Sequence, residues 1–105
     1  MRFEIVFAPQ AIEDLSALRA DVRAGVRQAM ELHLRHEPRK VSKSRIKRLR
    51  GLERPQYRLR VGEIRVFYDV SEKVVEVLAI VSKQQAQDWL AKEGVESEAG
   101  SSGEG

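Results

Sequence analysis

The chain reads as an α+β domain with the order β-α-α-β-β-β-α, a small, mainly antiparallel sheet with helices packed on it. Three observations give that reading. After a short alternating stretch, apolar residues recur at three- and four-residue steps through the first third of the chain. Three strand-like segments then follow one another, separated by short turns. A capped amphipathic segment comes after the last of them. At 105 residues there is room for one modest core.

Phe3, Ile5 and Phe7 alternate with Glu4 and Val6, the mark of a half-buried strand. Pro9 suits the first turn of a helix, where its missing N–H costs nothing. Ile12, Leu15, Leu18 and Val22 form one helical stripe. A break is expected near Ala20-Asp21, with Asp21 capping a second helix. Val22, Val26, Ala29, Met30 and Leu34 line the buried side of that helix, and Glu37-Pro38 ends it. Residues 39–55 read as a basic connection with few apolar anchors.

The three strands are expected at Gln56 to Val61, Ile64 to Val70 and Val74 to Val81. Gly62-Glu63 between the first two is a two-residue turn with glycine first, matching type II′. Ser71-Glu72-Lys73 makes the next turn. The last strand is almost continuously apolar and should be central, covered on both faces. Ser82 and Gln85 have capping-box spacing at the start of the closing helix, which Ala86, Trp89 and Leu90 dock on the core. The folded domain is expected over residues 1–92. Residues 93–105, rich in glycine, serine and glutamate, are expected to form a disordered tail.

The chain has no cysteine, which removes disulfides and thiolate chemistry and fits a reducing cytoplasm. No apolar run approaches membrane-spanning length, and no signal-peptide core follows the N-terminus. The net charge of +3 conceals an asymmetry: residues 39–65 carry eleven Lys/Arg and two acids, net +9, against −6 elsewhere. A basic block in an otherwise acidic chain points to a polyanion partner.

The hairpin gives part of that block a geometry. A two-residue turn at Gly62-Glu63 places Arg60 opposite Arg65 and Arg58 opposite Phe67, so Leu59, Val61, Ile64 and Val66 share the core face. Arg58, Arg60 and Arg65 share the other face. Like charges directly opposed destabilise a sheet, so this clustering suits a bound anion better than the fold alone; a solvated arginine face is the alternative. Ser82 and Lys83 stand where strand gives way to helix, a setting that favours phosphate. A lysine there opposes the helix dipole unless an anion is bound. Lys43, Arg45, Lys47, Arg48 and Arg50 form a patch suited to tracking a nucleic-acid backbone. Tyr57 and Phe67 are candidate stacking faces for bases. His33 and His36 lie three apart near a helix end, without a third ligand or a paired carboxylate. No metal site and no cofactor is expected.

From about residue 2 to residue 90 the chain resembles the RelE/ParE toxins of bacterial type II toxin–antitoxin systems. The resemblance is carried by Phe7-Ala8-Pro9-Gln10-Ala11-Ile12-Glu13-Asp14-Leu15, by Lys47-Arg48-Leu49-Arg50-Gly51, and most strongly by Tyr57-Arg58-Leu59-Arg60-Val61-Gly62-Glu63-Ile64-Arg65-Val66-Phe67-Tyr68. For the RelE branch it implies metal-independent cleavage of mRNA in the ribosomal A site, the 2′-OH attacking the adjacent phosphate. Arg58 and Arg60 then resemble the paired basic strand positions, and Arg65 the phosphate-stabilising arginine. Lys83 falls at the start of the closing motif. The family often has a late Tyr or His, whereas here none lies beyond Tyr68. The ParE branch, which inhibits DNA gyrase, generally lacks that catalytic set, and a non-catalytic antitoxin-binding homologue is a third reading. The implied partners are a cognate antitoxin, mRNA and the ribosome, with DNA gyrase as the alternative target, in the cytoplasm and without a membrane.

Overall fold

Pro9 does what its missing N–H allows. It opens helix α1 (Pro9–Ala17) directly after strand β1 (Glu4–Phe7) in a computed structural model that describes residues 1–97. The chain straightens at Leu18 and re-enters a helix, α2 (Ala20–Leu34). The N-cap of α2 is Arg19 and not Asp21. Asp21 sits two residues further in, within the first turn, where its charge complements the dipole, and it pairs with Arg19 at 3.0 Å.

The connection expected at 39–55 contains two short strands, β2 (Ile46–Arg48) and β3 (Leu52–Arg54). They precede β4 (Tyr57–Val61), β5 (Ile64–Ser71), β6 (Val74–Ser82) and helix α3 (Lys83–Glu93). Pairing with a neighbour makes β2 a strand: Lys47 lies opposite Arg58 of β4, and Ile46 is buried in the core. The main sheet runs β1-β6-β5-β4-β2, with β1 and β6 parallel and the other neighbours antiparallel. This is the expected α+β order with short strands added.

The apolar strand β6 is central, between β1 and β5. Its register slips by one between Phe67↔Ala79 and Tyr68↔Val77, leaving Leu78 as the extra residue of a bulge. On one face of the sheet, Leu59, Val66, Tyr68, Val75 and Val77 pack against Leu15 of α1 and Val26, Met30 and Leu34 of α2. Asp14 ties α1 to the sheet by accepting from the Ile80 N–H at 2.9 Å. On the opposite face, α3 lies over Phe67, whose ring stacks on Trp89 at 5.0 Å between centroids.

The first part of the segment expected as a tail, 93–105, has regular structure. Glu93 is still helical, and Val95–Glu96 forms strand β7 against β3. Backbone pairing with an available edge strand does not depend on apolar side chains, so composition gave no sign of it. The remainder of that segment, 98–105, lies outside the described residues. Among the described residues no helix is long and apolar enough to cross a membrane.

Candidate nucleic-acid interface

The hairpin fixes the site. Gly62 has a positive φ of 58° while Glu63 does not, as a type II′ turn requires. That turn sets the register Val61↔Ile64, Arg60↔Arg65, Leu59↔Val66 and Arg58↔Phe67, as the sequence predicts. Because strand side chains alternate, Leu59 and Val66 point into the α1/α2 core. The alternate residues Arg58, Arg60, Arg65 and Phe67 point to the α3 side. Two alternate rows of the ladder therefore present Lys47 and Arg58, then Arg60 and Arg65, on one face.

Between α3 and the β2–β3 stretch this face opens into a cleft of about 490 Å³. Five cations line it: Lys47, Arg48, Arg50, Arg58 and Arg65. Leu49, Leu52 and Phe67 line it as well, and α3 contributes Ala86, Gln87 and Leu90. No carboxylate does. The ion pairs found among the described residues use Arg19, Arg35, Lys40 and Arg54, none of which lines this cleft. Low-dielectric walls around charges of one sign focus a positive potential there.

Arg65 is 7% exposed. Its Nη1 donates to the carbonyls of Gly62 at 2.8 Å and Ile64 at 3.1 Å, so the turn that sets the register also holds the guanidinium. Arg58 is less satisfied. Its Nε is buried with no protein hydrogen-bond partner. Burial, then Arg65, then Arg60 push its pKa below the usual arginine value. Uncompensated buried charge of this kind is costly, and an anion in the cleft relieves it.

The structure does not bring every expected residue to this place. Arg60 is exposed beside the cleft, opposite Arg65. Lys83 opens α3 past the end of the β5–β6 ladder, exposed and off the cleft lining. The helix start it belongs to is partly occupied: the Lys83 N–H donates to the Glu63 carbonyl at 2.7 Å, and the Gln85 N–H to Ser82 Oγ at 3.2 Å. Lys43 and Arg45 are exposed ahead of β2. Arg45 lines a separate hollow with His33 and His36. Arg48 reaches the Gln56 carbonyl at 2.8 Å and lies over the Tyr57 ring at 5.2 Å.

Tyr57 is a correction. It shares the core face with Leu59, is 8% exposed and stacks on Tyr68 at 5.5 Å. Its ring is not available to a base. Phe67 lies on the cleft side, but Trp89 covers it. Sequence reasoning missed the α3 wall of the cleft. Its signal was present in Ala86 and Leu90, four apart on one helix face, with Gln87 beside them.

Over residues 5–87 the chain matches the family model described as ParE toxin of type II toxin–antitoxin system, parDE. None of the curated proteins matches it in sequence. Among solved structures it is similar to a chain of the archaeal RelE–RelB complex from Pyrococcus horikoshii, with 24% identity and a TM-score of 0.65, covering 79% of this chain and 97% of that one. It is also similar to a mutant of the E. coli toxin RelE in the free state, with 21% identity and a TM-score of 0.65, covering 85% and 92%. A third likeness is to a chain of the E. coli DinJ–YafQ toxin–antitoxin complex, with 15% identity and a TM-score of 0.61, covering 83% and 97%. At these identities the likeness is one of fold.

Proposed function

Because the chain belongs to the ParE toxin family of type II toxin–antitoxin systems, we propose that it is a toxin that cleaves mRNA on the ribosome and is neutralised by a cognate antitoxin. The cleft is the observation that carries this reading: five cations, two of them anchored on one hairpin, and no carboxylate to compete for them. Such a lining attracts a phosphodiester and repels a basic protein surface. The antitoxin follows from the family and from fold relatives solved as toxin–antitoxin complexes.

In this mechanism the ribose 2′-oxygen attacks the adjacent phosphorus as its proton passes to water. The P–O5′ bond breaks and the 5′-oxygen takes a proton from water, giving a 2′,3′-cyclic phosphate and a free 5′-OH. Arg65, held in advance by two carbonyls, and Arg58 stabilise the negative charge that grows on the phosphate oxygens. Arginine is no base at neutral pH, so these side chains accelerate the reaction through charge and position. Arg60, exposed beside the cleft opposite Arg65, steers the RNA.

A second reading, inhibition of DNA gyrase by binding alone, is favoured by one feature. No His, Tyr or carboxylate lines the cleft to move a proton. Two assays decide. Wild-type protein is added to programmed ribosomes and the mRNA ends are mapped, with Arg65→Ala alongside; gyrase supercoiling is measured in parallel. Cleavage by wild type and its loss in Arg65→Ala is expected. Intact mRNA with inhibited supercoiling would overturn the nuclease in favour of gyrase.

A further inference from the structure

The two edges of the main sheet are closed to different degrees. At β2, Ser42 covers the outer side: its N–H donates to the Ile46 carbonyl at 3.0 Å, and its Oγ accepts from the Ile46 N–H at 3.3 Å. At β1 the cover stops short. The Glu4 and Ala8 N–H groups donate to the Lys73 and Val77 carbonyls at 2.8 and 2.9 Å, so the alternate residues Ile5 and Phe7 aim their backbone groups outward. Arg35 takes both outward groups of Phe3, through its carbonyl at 2.7 Å and its Nη1 at 3.0 Å. Among the described residues nothing takes those of Ile5 and Phe7, and β6 is the one strand beside β1. An open edge of this kind is a template for another strand.

The flank of α2 beside that edge is self-complementary. A groove of about 290 Å³ is lined there by Ile5, Phe7 and Met30, with Arg27, Glu31 and Arg35. The Arg35–Phe3 bonds fix the C-terminal end of α2 at the start of β1. Arg27, about 12 Å back along the helix, lies toward Phe7, and Glu31 lies between. Glu31 pairs with Arg35, whereas Arg27 is in no ion pair found among the described residues. A second copy turned about a two-fold axis at Val6 meets this surface in register. Ile5 falls opposite Phe7 of the second copy, where each such pair exchanges two backbone hydrogen bonds. Phe3, already satisfied, falls opposite Pro9, which has no N–H to lose. Arg27 falls beside Glu31 of the other α2, and the contact is repeated across the axis.

We propose that this chain self-associates through β1, two five-stranded sheets joining across an antiparallel β1–β1 pair with reciprocal Arg27–Glu31 contacts. The basic cleft lies at the other end of the sheet, around β2 and β4, so both clefts stay open in the dimer.

The test is sedimentation of the full chain from about 1 µM to about 1 mM, the range suited to a small interface. The mass should rise from 12.0 kDa toward twice that. Over the same range the Ile5 and Phe7 amides should become protected from hydrogen exchange. Arg27 and Glu31 are exposed, so their substitution spares the core. Arg27→Glu and Glu31→Arg each set like charges together at both contacts and should weaken association by about tenfold or more. Mixed in equal amounts, the two variants oppose unlike charges at both contacts and should pair as wild type does. Circular dichroism checks that each is folded. A monomer at every concentration overturns the inference. A dimer that neither variant weakens, or one that leaves the Ile5 and Phe7 amides unprotected, also overturns it by placing the interface elsewhere. A mixture that associates no better than either variant alone overturns the Arg27–Glu31 register and the proposed dimer with it.

Discussion

Lys47 and Arg58 stand directly opposite each other across the β2–β4 ladder, and both line the same cleft. Two residues further along β4, on the same face, Arg60 faces Arg65 in the same way. Two consecutive like-charge pairs work against the sheet. In a fold this small, such an arrangement marks a site where positive potential has been kept at the expense of stability.

Replacing Lys47 by glutamate should therefore separate the two. Lys47→Glu places an opposite charge across from Arg58 and should raise stability by about 0.5–1 kcal/mol, read as a higher urea midpoint. The same change should weaken RNA binding. It should also reduce the slope of log affinity against log salt by about one. A variant that is both less stable and unchanged in salt slope would show that Lys47 makes neither contribution.

Arg65 tests geometry against charge. Its guanidinium donates to Gly62 and Ile64 carbonyls while lying on the cleft lining. A lysine keeps the charge but lacks the planar fork that makes those bonds from a fixed position. Arg65→Lys should lose about 100-fold in mRNA cleavage, comparable with loss of one oriented donor, while retaining the fold by circular dichroism. Near-wild-type cleavage by Arg65→Lys would mean that charge alone suffices.

The register of this site was legible in the sequence because one dipeptide determines it. Gly62-Glu63 sets five cross-strand pairs, and period-two alternation assigns their faces. The same alternation places Tyr57 with Leu59 in the core, so its burial was readable too, although its aromatic character suggested stacking. The short strands were less accessible. Ile46–Arg48 and Leu52–Arg54 are three residues each, too brief for a periodic signal, and each has a single apolar residue. The cleft itself needs α3 to cross the arginine face at a particular place. That depends on Trp89 meeting Phe67, a tertiary contact between residues 22 positions apart that no local pattern encodes.

Gly94 holds the end of α3 against the β3–β7 pair. Its N–H donates to the Leu90 carbonyl at 2.8 Å. A Cβ added there would meet that same carbonyl oxygen at 2.5 Å and Leu52 Cδ2 at 3.4 Å. The first neighbour is backbone and cannot step aside without unwinding the helix end. Gly94→Ala should cost about 1–3 kcal/mol and speed hydrogen exchange at Gly94 and Ser97, whose N–H groups bond to Leu90 and Gly51. Unchanged exchange at both amides would place the strain elsewhere.

Tyr68 is the most deeply committed polar side chain of the core. Its ring is fully buried and stacks on Tyr57, and its hydroxyl donates to the Pro38 carbonyl at 2.7 Å, joining the sheet to the segment after α2. Tyr68→Phe keeps the ring and removes the bond, and should cost about 1–2 kcal/mol. It should also change the response to alkali. Burial, with a smaller effect from Tyr57, pushes the Tyr68 pKa far above its ordinary value of 10.0. The unfolded chain then gives up this proton first, so the stabilisation is complete below pH 10.0 and is lost progressively as the pH rises beyond it. Urea midpoints taken at pH 8 and pH 11 should fall more steeply for wild type than for Tyr68→Phe. Parallel decline of the two proteins would mean that groups other than this hydroxyl govern alkaline unfolding.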